Sequence, residues 1–563
     1  MDIFRLKTNI SVFLLCFLLS SSFSLVKAQT TYISAQSGNW PTGSTWIGGV
    51  APGAGDNAII KDGHTVRLTT GGTGTFINDL TIEAGGVLDA DNKEMNINGK
   101  FIVDGTYTSF DPSAQDLNFN GDTLGGTGTI AVNKPTSYFI FGTNTKVLPS
   151  AHLNVFGHIR IASGVTVTNH GMIEVSGELN GQNATSTWTN DAGSTVEAAN
   201  LLMSTGVLNA SASGNTVVYV QQADQAVKTP SASTYYNLTI SGSGIKNTSS
   251  DLIINNDLTI SSGTLNSNGN SLQIKGNWIN AGDFTEGTGT ITFNGTIDQS
   301  ITNASGEVFY NLTVNKSSGS LILNNDVNVS GTLTMTSGVI SAGTGVLILG
   351  TSTATTGTLS RTGGIIAGSF RRWINSTGTF LFPVGTSSNY HPLNITLNGL
   401  NSGGTLTSKF NESVPGNTGL PLFDNPDSVF NTFVDGYWEL NKADGFNLGG
   451  ANNYNITLDG TGFTAFTIDG STRVLTRADA GSAWLAQGTH LSPVGNVARR
   501  NTLTTLSAHY AFGDTTNCYP PSTSAITGLN EVCTGTSGVS YSVTNNPPNT
   551  YNWIITGGTQ ASG

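Results

Sequence analysis

Cysteine, charge and long apolar runs are all scarce in this chain. Only three of its 563 residues are Cys. Cys16 lies in an N-terminal apolar run, which leaves Cys518 and Cys533. A Cys-ligated metal cluster or a thiol active site is thereby excluded, and the remaining pair reads as one disulfide of an exported segment. Asp, Glu, Lys and Arg make up 10% of the chain, with a net charge of −12. That balance makes a phosphate backbone or an anionic membrane a poor partner. The seven His residues (His64, His152, His158, His170, His391, His490 and His509) are scattered, and no HExxH run occurs. Phosphate loops, nucleic-acid motifs and cofactor fingerprints are missing, so no cofactor is expected. Beyond residue 28 no apolar run is long enough to cross a bilayer.

What is abundant is glycine, with 71 residues, set among Thr, Ser and Asn and 37% hydrophobic residues. Low charge with many β-branched residues and turn formers describes an extended all-β protein rather than a disordered one. At the N-terminus, Arg5 and Lys7 precede the run Ile10–Leu19, and Val26-Lys-Ala28 has the small or apolar residues of a signal-peptidase site. Residues 1–28 therefore read as a signal peptide cleaved after Ala28. Its removal takes the net charge to about −14, since Arg5, Lys7, Lys27 and Asp2 leave with it.

The strongest signal is internal repetition. Thr216-Val-Val-Tyr219 returns 74 residues later as Thr290-Ile-Thr-Phe293, and the register then holds. Asp224-Gln225 falls on Asp298-Gln299, and Tyr235-Tyr-Asn-Leu-Thr-Ile240 on Phe309-Tyr-Asn-Leu-Thr-Val314. After a short deletion, Leu252-Ile-Ile-Asn-Asn-Asp257 matches Leu321-Ile-Leu-Asn-Asn-Asp326. Upstream, short segments such as Leu80-Thr-Ile82, Phe101-Ile-Val103, Ile159-Arg-Ile161 and Ile173-Glu-Val175 place apolar residues at i and i+2 between Gly, Asn, Asp and Ser. Period-2 segments with regular turns imply a right-handed parallel β-helix or solenoid over residues 71–350. Roughly 20–25 residues would close one coil, so the 74-residue unit would be about three coils. Asn stacked on Asn between coils can form amide ladders. Calcium ligation is the alternative use of Asn255-Asn-Asp257, Asn324-Asn-Asp326 and Asp89-Ala-Asp91-Asn92.

Residues 29–70 form an N-terminal cap. Their Gly38-Asn-Trp40, Ser44-Thr-Trp46, Gly48-Gly-Val-Ala-Pro52, Gly55-Asp-Asn57 and Gly63-His-Thr-Val66 resemble the opening of G8-type modules and of many Bacteroidetes surface proteins. In G8 proteins this module is linked to extracellular carbohydrate and matrix binding. Trp40 and Trp46 are thus candidates either for a buried end plug or for stacking on a sugar ring. The repeat phrases resemble low-charge repeats of large secreted Bacteroidetes proteins. After residue 350 the rhythm changes to longer strands and loops, which implies a β-sandwich over 351–515. Its Phe370-Arg-Arg-Trp-Ile374 and Phe382-Pro-Val-Gly385 resemble the module that follows such repeats, and a strand-end salt bridge is the expected use of Arg371 and Arg372.

Residues 516–563 resemble the first half of a PKD-like, Ig-type domain, and the chain reads as a fragment of a longer protein. A C-terminal module for type IX secretion would lie further on. Asp122-Thr-Leu124, Asp427-Ser-Val429 and Asp514-Thr-Thr516 resemble the Bacteroidetes O-glycosylation signal, which implies glycans on Thr123, Ser428 and Thr515. Together these features describe a secreted or outer-surface structural or adhesive protein, whose partners would be extracellular polysaccharide or surface glycans. The alternative is a β-helix carbohydrate-active enzyme, a lyase or glycoside hydrolase, although charges in the repeat are sparse and sit mostly in turns. N-terminal sequencing of the exported protein is expected to begin at Gln29; a chain that retains Met1 would refute the cleavage.

Overall fold

The computed structural model describes residues 29–69, 75–109, 115–132, 137–515, 526–528 and 536–543. Residues 1–28, read from the sequence as a signal peptide, and both Cys518 and Cys533 lie outside these residues. The fold is all-β, a parallel β-solenoid of about 15 turns. Among the described residues the only helical pieces are two short 3₁₀ turns, Gly43–Thr45 and Ser231–Ser233.

The chain divides into two compact units. In the first, residues up to Ala304 with Tyr310–Thr313, each coil presents three short strands on three faces. On the first face the in-register partners Ala58, Leu80, Phe101, Leu124 and Val147 follow one another at 21 to 23 residues. Most strands run three or four residues because a corner must follow, the ten-residue His152–Ile161 bending round one, and the apolar residues at i and i+2 point inward. The interior is continuous along the stack. Phe101, Phe119, Phe139 and Phe141 from neighbouring coils pack with ring centroids 4.7 to 6.4 Å apart.

Corners leave backbone N–H groups without a strand partner, and buried or half-buried donors need one. Here Asp and Asn side chains supply it from one coil earlier. Asp79, Asp104, Asp116, Asn144, Asp251 and Asp257 accept from the backbone N–H of Lys100, Thr127, Tyr138, Thr166, Ser271 and Asn277 at 2.7 to 3.1 Å. Asp224 does the same for Ile245. A buried amide ladder also forms, with Asn169 Nδ2 donating to Asn190 Oδ1 at 2.8 Å.

The 74-residue repeat does not close on whole coils. Thr216–Tyr219 lies on the second face, in the column that continues through Asn237–Ile240, Leu258–Ile260 and Trp278–Asn280. Thr290–Phe293 lies on the first face, above Thr234–Tyr235, Leu252–Ile254 and Leu272–Ile274. The repeat thus advances three and two-thirds turns instead of three. Coils at the short end of the expected range cause this: Leu238, Leu258 and Trp278 are partners at a spacing of 20. The duplicated Gln nonetheless does the same work on each face. Gln225 Nε2 donates to the carbonyls of Ala198 and Asn200, while its Oε1 accepts from Gln221 N–H. Gln299 Nε2 donates to Ile274 and Gly276 O, and its Oε1 accepts from Gly295 N–H.

The parallel stacking reaches beyond the 71–350 expected for it. At the start, Thr31–Ile33 pairs with Asn57–Ile60 and Gly38–Asn39 with Thr65–Arg67, so the cap residues are themselves coils. In the second unit, Glu307–Phe309, Val327–Val329, Leu347–Leu349 and Phe370–Arg372 stack in one column, and Ile366 still pairs in parallel with Val384. Strand Ile365–Ile374 is where the pattern changes. It is parallel to Thr332–Leu349 on one edge and antiparallel to Gly404–Asn411 on the other. The exposed edge of the last coil is thereby continued by an antiparallel sheet rather than left open.

That sheet goes on through Tyr437–Ala443, His509–Asp514 and Thr472–Arg477. A second antiparallel sheet joins Gly378–Phe382, Leu393–Leu397, Tyr454–Asp459, Val497–Leu503 and Thr489–Val494. Their side chains meet at the Tyr454–Tyr510 hydroxyl pair, 2.7 Å apart, and Trp438 Nε1 donates to His391 O. Fully buried Arg500 forks onto Asp424, at 2.8 and 2.9 Å, and ties the hairpin Leu422–Asp424/Asp427–Val429 to this core. Of the segment 516–563 only 526–528 and 536–543 are described, with one antiparallel bridge, Thr527–Ser542.

Because Gln225 and Gln299 satisfy equivalent carbonyls, Gln225→Ala and Gln299→Ala are each expected to cost about 1–3 kcal/mol through the buried groups left unpaired. Urea unfolding of the two variants checks this; a cost at one site only would break the equivalence.

Candidate functional site

The Trp pair of the first coil is closed to ligands. Trp40 and Trp46 are 5% and 2% exposed, packed edge to face at 5.0 Å. Both indole N–H groups are satisfied internally, Trp46 by Trp40 O at 2.8 Å and Trp40 by Pro52 O at 3.4 Å. No ring face is left for a sugar, so of the two uses expected for this pair the geometry supports the end plug. Thr123, Ser428 and Thr515 are half-buried and far apart in sequence, on Thr123–Gly125, on Asp427–Val429 and just after His509–Asp514. Thr123 Oγ1 donates to Asp122 Oδ1 at 2.8 Å.

The Asn-Asn-Asp turn is spent on coil-to-coil bonds. Lys275 Nζ donates to Asn255 Oδ1, Asn256 Nδ2 to Asn237 Oδ1, and both N–H and Nδ2 of Asn277 to Asp257 Oδ1. Asp326 likewise accepts from Val346 N–H at 2.9 Å. Asp89 is held by Arg67 Nε at 2.8 Å. Among the described residues no group of three or more His, Cys, Asp or Glu is placed to hold a metal ion. Among the described residues Arg371 and Arg372 do not form the expected salt bridge. Arg371 Nε donates to Thr407 Oγ1 and Arg372 Nη1 to Leu381 O, and burial lowers the Arg372 guanidinium to about 10. Arg371 thus meets a hydroxyl of its antiparallel neighbour, and Arg372 a carbonyl and the Phe380 ring of the second sheet.

An open concavity lies elsewhere, on the second face of the first unit. It encloses about 640 Å³ against the ends of four successive strands, from Asn154–Phe156 through Glu174–Ser176 and Glu197 to Val220–Ala223. Outward positions on a parallel column fall in register, so Asn154, Glu174, Glu197 and Val218 form one row along the stack. Two carboxylates are therefore neighbours on adjacent strands, about 4.8 Å apart at the backbone. Glu174 accepts from His152 Nε2 at 3.0 Å, and both groups remain partly exposed. Among the described residues Glu197 has no such hydrogen-bonded partner; burial, and then the charge of Glu174, push its carboxyl above the ordinary value of 4.5. Phe156 borders the groove with its ring 52% exposed.

This row lies upstream of the repeat, outside its sparse charges. A signal was there: Ile173-Glu-Val175 and Val196-Glu-Ala198 repeat one apolar-Glu-apolar pattern 23 residues apart, one coil length. A smaller hollow of about 160 Å³ lies in the second unit, between Lys442–Gly450 and Thr504–Leu506. Among the described residues no helix is long and apolar enough to cross a membrane. Compared with known proteins, the chain matches no family model, no curated protein and no solved structure.

With its folded value raised, Glu197 contributes stability that is complete below 4.5 and lost as the pH rises through the folded value. Glu197→Gln is therefore expected to melt higher than the parent at pH 7, and the gap to close below about pH 4. Paired melting curves at pH 7 and pH 4 test it; a variant less stable at pH 7 would show that Glu197 has a compensating partner.

Proposed function

We propose that the chain is a secreted or outer-surface structural and adhesive protein, in which stacked coils carry binding surfaces that contact polysaccharide. The observation that supports this most is the coil-to-coil stitching. Side chains that a soluble enzyme would have free for chemistry are used here to satisfy the next coil's backbone. The sequence resemblances fit the same reading: the G8-like opening, the low-charge Bacteroidetes-type repeats, the PKD-like residues near the end and the export signal at the start. A second reading, a β-helix carbohydrate-active enzyme, is favoured by one feature only. Glu174 and Glu197 are adjacent carboxylates in different environments, one beside an imidazole and one pushed toward its protonated form, as a charged group and a proton donor would be.

A pull-down of the purified, exported chain with a panel of matrix polysaccharides separates the two. Binding without new reducing ends is expected. Absence of binding would leave a spacer, and release of reducing ends that disappears in Glu197→Gln would establish the enzyme.

A further inference from the structure

We propose that the groove beside Phe156 is a saccharide-binding site, and that it takes an uncharged polysaccharide laid along the stacking direction of the coils. The proposal rests on the adhesive reading and gives it a place and a ligand class. Three observations carry it.

The groove is elongated in the right sense. Phe156, Ser176, Ala199 and Val220 come from four consecutive coils, so its lining spans three inter-coil steps, about 14 Å. Each step is close to the repeat of one pyranose in an extended chain. A globular ligand would use one or two coils; a linear polymer uses them all.

The aromatic ring is carried on a constrained backbone. Phe156 immediately precedes Gly157, where the strand His152–Ile161 turns from the second face to the third. Gly157 has φ +124°, and a Cβ there would come within 1.9 Å of Val132 O, so no other residue fits the corner. The ring therefore projects from a fixed backbone. Its register neighbour in the preceding coil is Ala131, with Thr108 and Asp89 further back, so the flank of the ring is open. A fixed, half-exposed aromatic face is suited to the C–H face of a sugar, and flexible loops are not needed to present it.

The polar groups beside it select by charge. Glu174 and Glu197 with Gln221, Gln222 and Asn154 offer carboxylate and amide groups to the hydroxyls of a sugar. No Lys or Arg is part of this lining, and the His152 imidazole already faces Glu174. Uronate or sulfate groups would meet two carboxylates without a counter-charge, so acidic glycans are selected against.

Affinity electrophoresis of the exported chain through gels containing soluble neutral glucan, soluble neutral xylan or polygalacturonate tests this. Retardation by at least one neutral polymer and none by polygalacturonate is expected. Phe156→Ala should weaken binding about tenfold, and Glu174→Gln/Glu197→Gln several-fold, each with the parent's circular dichroism. Undiminished binding by Phe156→Ala would overturn the site while leaving adhesion intact. Preference for polygalacturonate would overturn the ligand class. If none of the polymers binds the parent, the site and the adhesive reading both fall and the spacer remains. Self-association abolished by Phe156→Ala, seen by sedimentation in the absence of polymer, would assign the groove to a second copy of the chain and overturn the proposal.

Discussion

The bond on which the stacked coils depend runs from an Asp or Asn side chain to a backbone N–H roughly one coil later. Parallel strands of three or four residues hold few ladder hydrogen bonds each, and every coil must turn three corners. Each corner would otherwise strand donors at the edge of the core. The side-chain bond removes that cost and fixes the register between coils at the same time, because a slip of one residue would take the carboxylate away from its donor. It also explains the composition. Short Asp and Asn are retained at corners, while the long charged residues, which cannot reach so local a target with so little lost entropy, stay few.

Much of the fold was legible in the sequence because its physics is local. Leu80-Thr-Ile82 or Phe101-Ile-Val103 announces a strand with one buried side regardless of what lies next to it. The tandem copies announce stacking. The register between copies was not legible, since it depends on the summed length of corners. Two or three residues lost from coils such as those between Leu238 and Trp278 shift the count by a whole face. The end of the parallel stack was also hidden. Residue 350 marks a change of rhythm, but pairing along Ile365–Ile374 is set by partners on both edges, which no single segment reports.

The groove was illegible for a related reason. Glu174 and Glu197 look in the sequence like two more outward residues of alternating strands, and only the column brings them together. Arg371 and Arg372 failed in the opposite direction: adjacent arginines suggested a carboxylate partner, and the antiparallel neighbour Thr407 and Leu381 of the second sheet offered oxygens of another kind. Charge in this chain is read correctly only after strand partners are known.

The fractional advance of the repeat has an evolutionary side. A duplication that came back on whole turns would copy every outward residue onto the same face and build a periodic surface. A duplication that comes back two-thirds of a turn out of phase copies the interior, where all three faces ask for the same apolar and Gln residues, and scatters the exterior. Such a duplication lengthens the scaffold while leaving any one face free to diverge. The patch around Phe156 lies upstream of the duplicated segment, and lengthening the stack in this way does not multiply it.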